Sequence, residues 1–460
     1  MKKTNILISL AVGVLLLAAL PIIGNQFTQK VLEEKINTLK ANGVTVQNET
    51  TDSSYLLTKR HYEFLVQDSD KFINYLNNYS SEQLPSYVDS LVDGVVIGSD
   101  MEYSNLPFSK AVAVDIYPMR LSKDIQKVIK DEDEKFYTYI EKFLQQKGAL
   151  YHINYNILSQ DFDGYLKDIK ETYTLEDSTK ISLELLNTLY HGNGKLIAPN
   201  LLISSIESIT LDVLKKEDKL NIRLTDFSSS ANFESQSTYL TSAKLNSFEL
   251  IAKSIDNDIV FSSSNLNMNI SSNTQGNNAQ FFSKSSLDNL SINSKELNLK
   301  AEDFNYDISV DGLDKDALEE FRILTSKTQN NSSQSLENEL QKSVVNLFSH
   351  GLVINIADFS LKSILLNDKE DLEGFKVQAV IAFKEDQNLA KKIGNSPMQI
   401  AQNIDASIKI KLSKKMFVKL VGVNSMVSIA ESYAKEEGSN FIYEITFKNG
   451  ELKVNNKVIL

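Results

Sequence analysis

The chain opens on an apolar run with no period at all. From Ile6 to Ile23 the residues ILISLAVGVLLLAALPII carry no charge. About 18 residues at 1.5 Å each make roughly 27 Å of helix, enough to span a hydrocarbon core. Lys2 and Lys3 precede the run and the next charge is Lys30. That asymmetry predicts an N-terminus inside and a body outside. A cleavable signal peptide is the competing reading, but it wants a shorter apolar core followed by small residues. Here Leu20, Ile22 and Ile23 occupy that place. The reading adopted is an uncleaved anchor over 1–24; a buried core helix is the third alternative.

The period then becomes helical. Phe27, Val31, Leu32, Ile36 and Leu39 recur at near-helical spacing with Gly43 as terminator, which predicts a juxtamembrane helix over 25–43. Residues 44–148 read as an α+β part. TVQNETTDSSYLLTKRHYEFLVQD suggests strands, DKFINYLNN and EQLPSYVDSLVDG suggest helices, and YSNLPFSKAVAVDIYPM is extended. LSKDIQKVIKDEDEKFYTYIEKFLQQKG reads as one long helix stopped by Gly148. Its KDEDEK run falls on the outer side, as a solvated helix face rather than a metal site.

From Tyr151 the period is 2. Ile209, Leu211 and Val213 alternate with polar residues. So do Leu220, Ile222 and Leu224; Leu266, Met268 and Ile270; and Phe304, Tyr306, Ile308 and Val310. Such alternation predicts antiparallel strands with one apolar face over 149–312. HGNG, KKEDK and SNTQGNN read as hairpin joints. Rough echoes recur, without a fixed repeat. A helical insert follows over 313–351, with stripes Leu318, Phe321, Leu324 and Leu336, Leu340, Val344, Leu347. A C-terminal α+β part over 352–460 returns to strands, passes a last helix in NSMVSIAESYAKEEG, and closes on a hairpin at Asn449-Gly450.

Composition narrows the function classes. The net charge is −12, whereas a nucleic-acid surface needs clustered Lys and Arg. The 460 residues contain no cysteine, so disulfides, thiol nucleophiles, cysteine-ligated metals and a lipobox anchor are all excluded. The four histidines, His61, His152, His191 and His350, form no HxxxH or HExxH pair. His152 falls on the polar side of a strand, His350 at a helix end, and His191 in the HGNG turn. All four read as structural. There is no Walker A, nucleophile elbow or dinucleotide fingerprint. No catalytic, cofactor or metal residue is assigned, no cofactor is expected, and the protein is read as a non-enzyme. A hydrolase built on paired carboxylates is the distant alternative.

Three stretches resemble the YdgA-like family of bacterial envelope proteins of unknown function. They are the anchor running into KVLEEKINTLK, the extended VQNETTDSSYLLTKRHYEFLV, and above all the end, IDASIKIKLSKKMFVKLVG followed by YEITFKNGELKVNNKVIL. The family closes on a strand, a turn glycine and a strand ending Leu-x-Val-Asn-Gly. Gly450, Leu452, Val454 and Asn455 match, while Asn456 replaces the second glycine. The family's Gly-x-Phe-Ser after the tyrosine is missing. The resemblance implies a membrane-anchored periplasmic protein and carries over no catalytic residue. The strand-rich style is also similar to the AsmA-like envelope proteins linked to lipid transport.

The expected fold class is therefore α+β: an N-terminal transmembrane helix, then a large, mostly antiparallel sheet with packed amphipathic helices. The expected location is the bacterial inner membrane, single-pass, with the body in the periplasm. The expected partners are the bilayer through the N-terminal helix and an envelope protein or lipid, with no nucleic acid. The expected role is binding or structure, with the apolar sheet face covered by helices. The alternative is an open face acting as carrier or sensor of a lipid or other apolar ligand.

Overall fold

The structure, a computed structural model, describes residues 32–78, 84, 88–106, 111–196, 198–235, 237–254, 258–330, 334–367, 370–386, 388–389, 401–423 and 425–459. Two compact units, Met1–Glu207 and Ser208–Leu460, divide the chain.

In the first unit, α1 (32–41) leads into β1 (Val44–Ser53), β2 (Leu57–Val66), α2 (Ser69–Asn77), α3 (Val88–Val92), β3 (Val96–Ser104) and β4 (Ala111–Arg120). Next come α4 (Lys123–Glu132), α5 (Glu134–Gln145), β5 (Tyr151–Asn156), β6 (Asp161–Leu166), β7 (Ile169–Thr174), β8 (Lys180–Leu186), β9 (Thr188–Lys195) and the start of β10 (Ala198–Lys215), a strand that continues past Glu207. Antiparallel ladders join β1 to β2, β3, β4, β5, β6, β9 and β10 in that order, and β7 pairs with β8. Strand β2 shows why: Thr58, Arg60, Tyr62, Phe64 and Val66 are buried, while the residues between them are not. Tyr62 and Phe64 meet Val44 and Ile36 of α1 in one apolar cluster, each large side chain adding roughly 2 kcal/mol by leaving water. Gly43 ends α1 at φ +87°, and a Cβ there would come within 2.2 Å of the Asp68 carbonyl oxygen.

Two expectations for this unit are corrected. The long helix over 121–148 is two helices, α4 and α5. Asp133 stands between them at φ −157°, ψ 102°, and its carboxylate accepts from the backbone N–H groups of Phe136 and Glu176. An N-cap of this kind starts a new helix, so this member of the KDEDEK run is buried rather than solvated. HGNG is not a turn either. His191 lies inside β9, paired with Asp163 on one side and Ile203 on the other.

The second unit runs β11 (Asp218–Phe233), β12 (Tyr239–Lys253), β13 (Asp258–Gln275), β14 (Asn278–Ser294), β15 (Asn298–Asp314), α6 (Lys315–Asn330), α7 (Gln334–Ser349), β16 (Leu352–Leu366), β17 (Glu370–Phe383) and β18 (Ile404–Ser413). It ends with α8 (Lys414–Val423), a 3-10 segment (Ser425–Tyr433), β19 (Lys435–Glu437), β20 (Asn440–Lys448), β21 (Glu451–Val454) and β22 (Lys457–Val458). β11 to β18 form an unbroken antiparallel meander. β20 then pairs with β18, β19 and β21. The last expected helix is thus a 3-10 segment followed by a short strand. The joints after Lys215 and Gln275, and Asn449-Gly450 at φ +53° and +84°, are turns as expected.

β13 has 18 residues, about 60 Å of strand, and a regular alternation does not survive that length. In β11, β13 and β15 it slips by one residue at Asp226, Asn265 and Asp303, each left-handed at φ +50°, +55° and +50°. Register places Asp226, Asn246, Asn265, Asp288, Asp303 and Lys362 in one row across β11 to β16. Side chains link the row: Asn246 donates to Asp226, Asn265 to Asp288, and Lys362 pairs with Asp303 at 3.2 Å. Lys362 also reaches Glu302 at 3.3 Å. A regular strand would send consecutive Glu302 and Asp303 to opposite faces. The left-handed residue absorbs the slip, and the apolar set resumes on the side it left.

The fold class is corrected on one count. Strand outweighs helix, 59% to 24%, and the antiparallel body is as expected. However, among the described residues no helix is long and apolar enough to cross a membrane. The ten described residues of α1 include Glu33, Glu34, Lys35 and Lys40. The anchor expected over 1–24 lies outside the described residues. The single-pass inner-membrane location is set aside on the same finding.

Candidate functional site

The second unit presents one face built almost wholly of apolar side chains. Outward from the row, β11 carries Leu224, Ile222 and Leu220 one way and Phe227, Ala231 and Phe233 the other. β12 matches them with Phe248 and Leu250, then Leu245 and Ala243; β13 with Phe261 and Ile259, then Leu266, Met268 and Ile270. β14 and β15 continue with Leu290, Ile292 and Leu287, then Leu299, Phe304, Tyr306, Ile308 and Val310. No charged residue stands at these positions on β11 to β15. Hydroxyls interrupt the face at Ser229, Thr241, Ser263, Ser283 and Ser285, and Ser283 bonds to the Tyr306 hydroxyl at 2.8 Å. The opposite face is Ser, Asn, Lys and Asp, as in Ser228, Ser230, Asn267 and Asn269.

Helices cover this apolar face only in part. α6 and α7 pack at β15, where Leu318, Leu347 and Phe348 close over Ala279, Leu313 and Leu352. α8 packs at β17 and β18, where Phe417 joins Phe441, Tyr443 and Val454. Among the described residues of β11, β12 and β13, no apolar side chain is buried. Phe233, Ile259 and Leu266 are 38%, 38% and 37% exposed. The expected helical cover therefore holds at β15, β17 and β18 and is missing from β11 to β13.

The first unit holds the clearest cluster of titratable groups. Register aligns Thr50, His61, Asp100, Asp115, His152 and Tyr165 straight across β1 to β6. Most of them line an open cleft of about 510 Å³. His61 Nδ1 lies 2.6 Å from Asp100 Oδ1, and His152 Nδ1 lies 2.7 Å from Asp115 Oδ1. Lys147 pairs with Asp100 and lies 4.5 Å over the Tyr117 ring, while the Tyr117 hydroxyl donates to Asp100 at 3.1 Å. Partial burial raises the Asp100 carboxyl, but Lys147, His61 and Tyr117 outweigh it and hold the group below its ordinary range. Burial, with Asp100 beside it, pushes the Tyr117 phenol up. Gly98 makes room for that ring; a Cβ would lie 2.4 Å from it.

The outer nitrogens of the two imidazoles face further oxygens. His61 Nε2 faces Glu63 at 3.5 Å, and His152 Nε2 faces Asn154 Oδ1 at 3.3 Å. Asn154 donates its own NH₂ to Asp163, which fixes the amide orientation. Tyr117, the hydroxyl near His61, is already committed to Asp100. No group of three His, Cys, Asp or Glu placed to hold a metal occurs among the described residues. The row staples adjacent strands. It was invisible in the sequence because its pairs lie 39 and 37 residues apart. His350 caps the end of α7, its Nδ1 bonded to the Asn346 carbonyl at 2.9 Å.

A family model described as a bacterial protein of unknown function (DUF945) matches residues 178–459. No curated protein and no solved structure matches the chain.

Proposed function

Because the chain belongs to the DUF945 family of bacterial proteins of unknown function, we propose its role from geometry: it binds extended apolar chains of the fatty-acyl class along the open face of β11 to β14, without catalysis. One observation carries the reading. This face is continuous and free of charge, yet no apolar side chain of β11 to β13 is buried. Each methylene laid against it contributes about 0.8 kcal/mol, so an acyl chain gains affinity with length and needs no directional contact. Phe248 and Phe261 supply flat rings for such a chain. Within the family, the matches at Gly450, Leu452, Val454 and Asn455 support the narrower YdgA-like kinship. The architectural likeness to AsmA-like lipid-transport proteins points the same way. The row of His61, Asp100, Asp115 and His152 reads as a link between adjacent strands, each imidazole bonded to the carboxylate on the neighbouring strand.

The test is mass spectrometry of an organic extract of gently purified full-length protein. Fatty-acyl species should appear, and should fall severalfold for Phe248→Asp/Ile270→Asp. An extract free of acyl species, from protein that also gains no thermal stability with added long-chain fatty acid, overturns the reading.

A further inference from the structure

The geometry points to Ser285, with the Ser283–Tyr306 hydroxyl pair beside it, as the place where the apolar face takes the ester carbonyl of a bound acyl chain. This rests on the acyl-binding reading and gives that site a polar anchor. Ser283 and Ser285 share the apolar face of β14 with Phe281 and Leu287. Register sets Ser285 between Met268 and Tyr306, and Ser283 between Ile270 and Ile308. Both serines are buried, Ser285 at 7% exposure. The Ser283 hydroxyl has a partner in Tyr306. The Ser285 hydroxyl has no partner among the described residues. A buried hydroxyl left unpaired costs free energy, and a ligand that pairs it recovers that cost.

The chemistry of these three hydroxyls selects the ligand group. Each has one hydrogen to give. Within the Ser283–Tyr306 pair one hydrogen is used and the other is free, whichever oxygen donates. Ser285 offers a second. Serines two residues apart on a strand stand about 7 Å apart along the face, so an oxygen placed between them can accept from both sides. An ester carbonyl oxygen has two lone pairs and no charge. A carboxylate also accepts, but once out of water it needs a cation. Lys284, between the two serines, falls on the opposite face and pairs with Asp307 at 3.1 Å. An ionised head among the hydroxyls would lose its water without gaining a counter-charge. A free fatty acid instead lies on the face with its carboxylate held out in water. Position fits as well. Phe281, two residues before Ser283, packs under the α6–α7 cover. In the other direction, β13 runs from Met268 back to Ile259 with no buried side chain, about 30 Å of strand. A carbonyl held here sits at the foot of the helices, with room for its chain along the open face.

The test is isothermal titration calorimetry of full-length protein with three ligands of one chain length: monolauroylglycerol, the lauryl ether of glycerol, which lacks the carbonyl, and laurate. The parent should bind the ester about tenfold tighter than the ether. Ser285→Ala removes one donor, and Ser283→Ala/Tyr306→Phe removes the other. Each should cut that advantage to about threefold and leave the ether and laurate unchanged. Unchanged binding of those two ligands shows that the variants keep their fold and their apolar face. Equal affinity of the parent for ester and ether, with laurate still bound, overturns the inference and leaves the acyl-binding reading standing. An equal loss for all three ligands in Ser285→Ala also overturns it, since the serine then acts on the fold and not on the carbonyl. Failure of all three ligands to bind the parent removes the acyl-binding reading, and the inference with it.

Discussion

Phe248 and Phe261 meet edge to face on neighbouring strands, ring centroids 5.8 Å apart and planes at 67°, and neither ring is buried. Phe417 and Phe441 make a similar contact, at 5.0 Å and 78°, but under α8 with both rings buried. The same pairing chemistry thus occurs once in a closed core and once on an open face. That contrast separates what holds the fold from what is left over for a ligand.

Truncating the two rings should give unequal costs. Phe417→Ala opens a cavity in a closed cluster and should lower unfolding free energy by about 3–5 kcal/mol. Phe248→Ala removes a ring already partly in water and should cost about 1 kcal/mol. Urea denaturation of both variants checks this. Equal losses would mean that Phe248 is as well covered as Phe417.

The polar row across β11 to β16 depends on left-handed backbone at three positions. At Asn265, φ +55° suits glycine or asparagine and strains alanine. Asn265→Ala should cost about 1–2 kcal/mol. Asn265→Gly should cost less, since it loses only the bond to Asp288. Denaturation midpoints in the reverse order would contradict the assigned conformation.

These slips explain how much of the second unit was legible. Leu220, Ile222 and Leu224 were recognised as alternating, and so were Leu266, Met268 and Ile270, and Phe304 through Val310. Each of those runs stops or starts at a left-handed residue. The other half of each strand has the opposite parity, so a strand of 15 to 18 residues reads as two short ones. A signal was present in Asp226-Phe227-Ser228, Asn265-Leu266-Asn267 and Asp303-Phe304-Asn305. In the last two, the closing Asn (Asn267, Asn305) donates to the carbonyl of the left-handed residue, at 3.2 and 3.1 Å. Helical stripes located α6 and α7 well. They said nothing of how little sheet those helices cover, because coverage depends on register. The break at Asp133 was missed because the apolar stripe runs on through it.

The C-terminal motif has a physical basis. Asn455 and Asn456 turn the chain at φ +47° and +65°. The Asn455 side chain accepts from Glu444 N at 2.9 Å and donates to the carbonyls of Tyr433 and Ile442 at 2.7 and 2.9 Å. Asn455→Ala should cost about 2–3 kcal/mol. Asn456→Gly should be neutral or stabilising by up to about 1 kcal/mol, because glycine adopts this conformation without strain. Thermal midpoints of the two variants moving in the same downward direction would contradict this.

Stability should also carry an acid-side signature from Asp133. Hydrogen bonds from the Glu176 and Phe136 N–H groups hold its carboxyl below the ordinary range. A group whose pKa falls on folding adds stability above its unfolded value of about 3.9, and that stability is lost as pH drops through the folded value. Asp133→Asn should therefore be less stable than the parent near neutral pH, and the gap should close below about pH 4. A gap that persists unchanged into that acid range would contradict the charge-assisted cap.

The open apolar face is tested most directly by photocrosslinking full-length protein with a diazirine-bearing long-chain fatty acid, followed by peptide mapping. Label should fall on β11 to β14 at apolar-face positions such as Phe248, Phe261, Leu266 and Met268, and should be competed by unlabelled fatty acid. Label absent from those strands, or spread equally onto polar-face positions such as Lys244 and Asn267, would contradict the account.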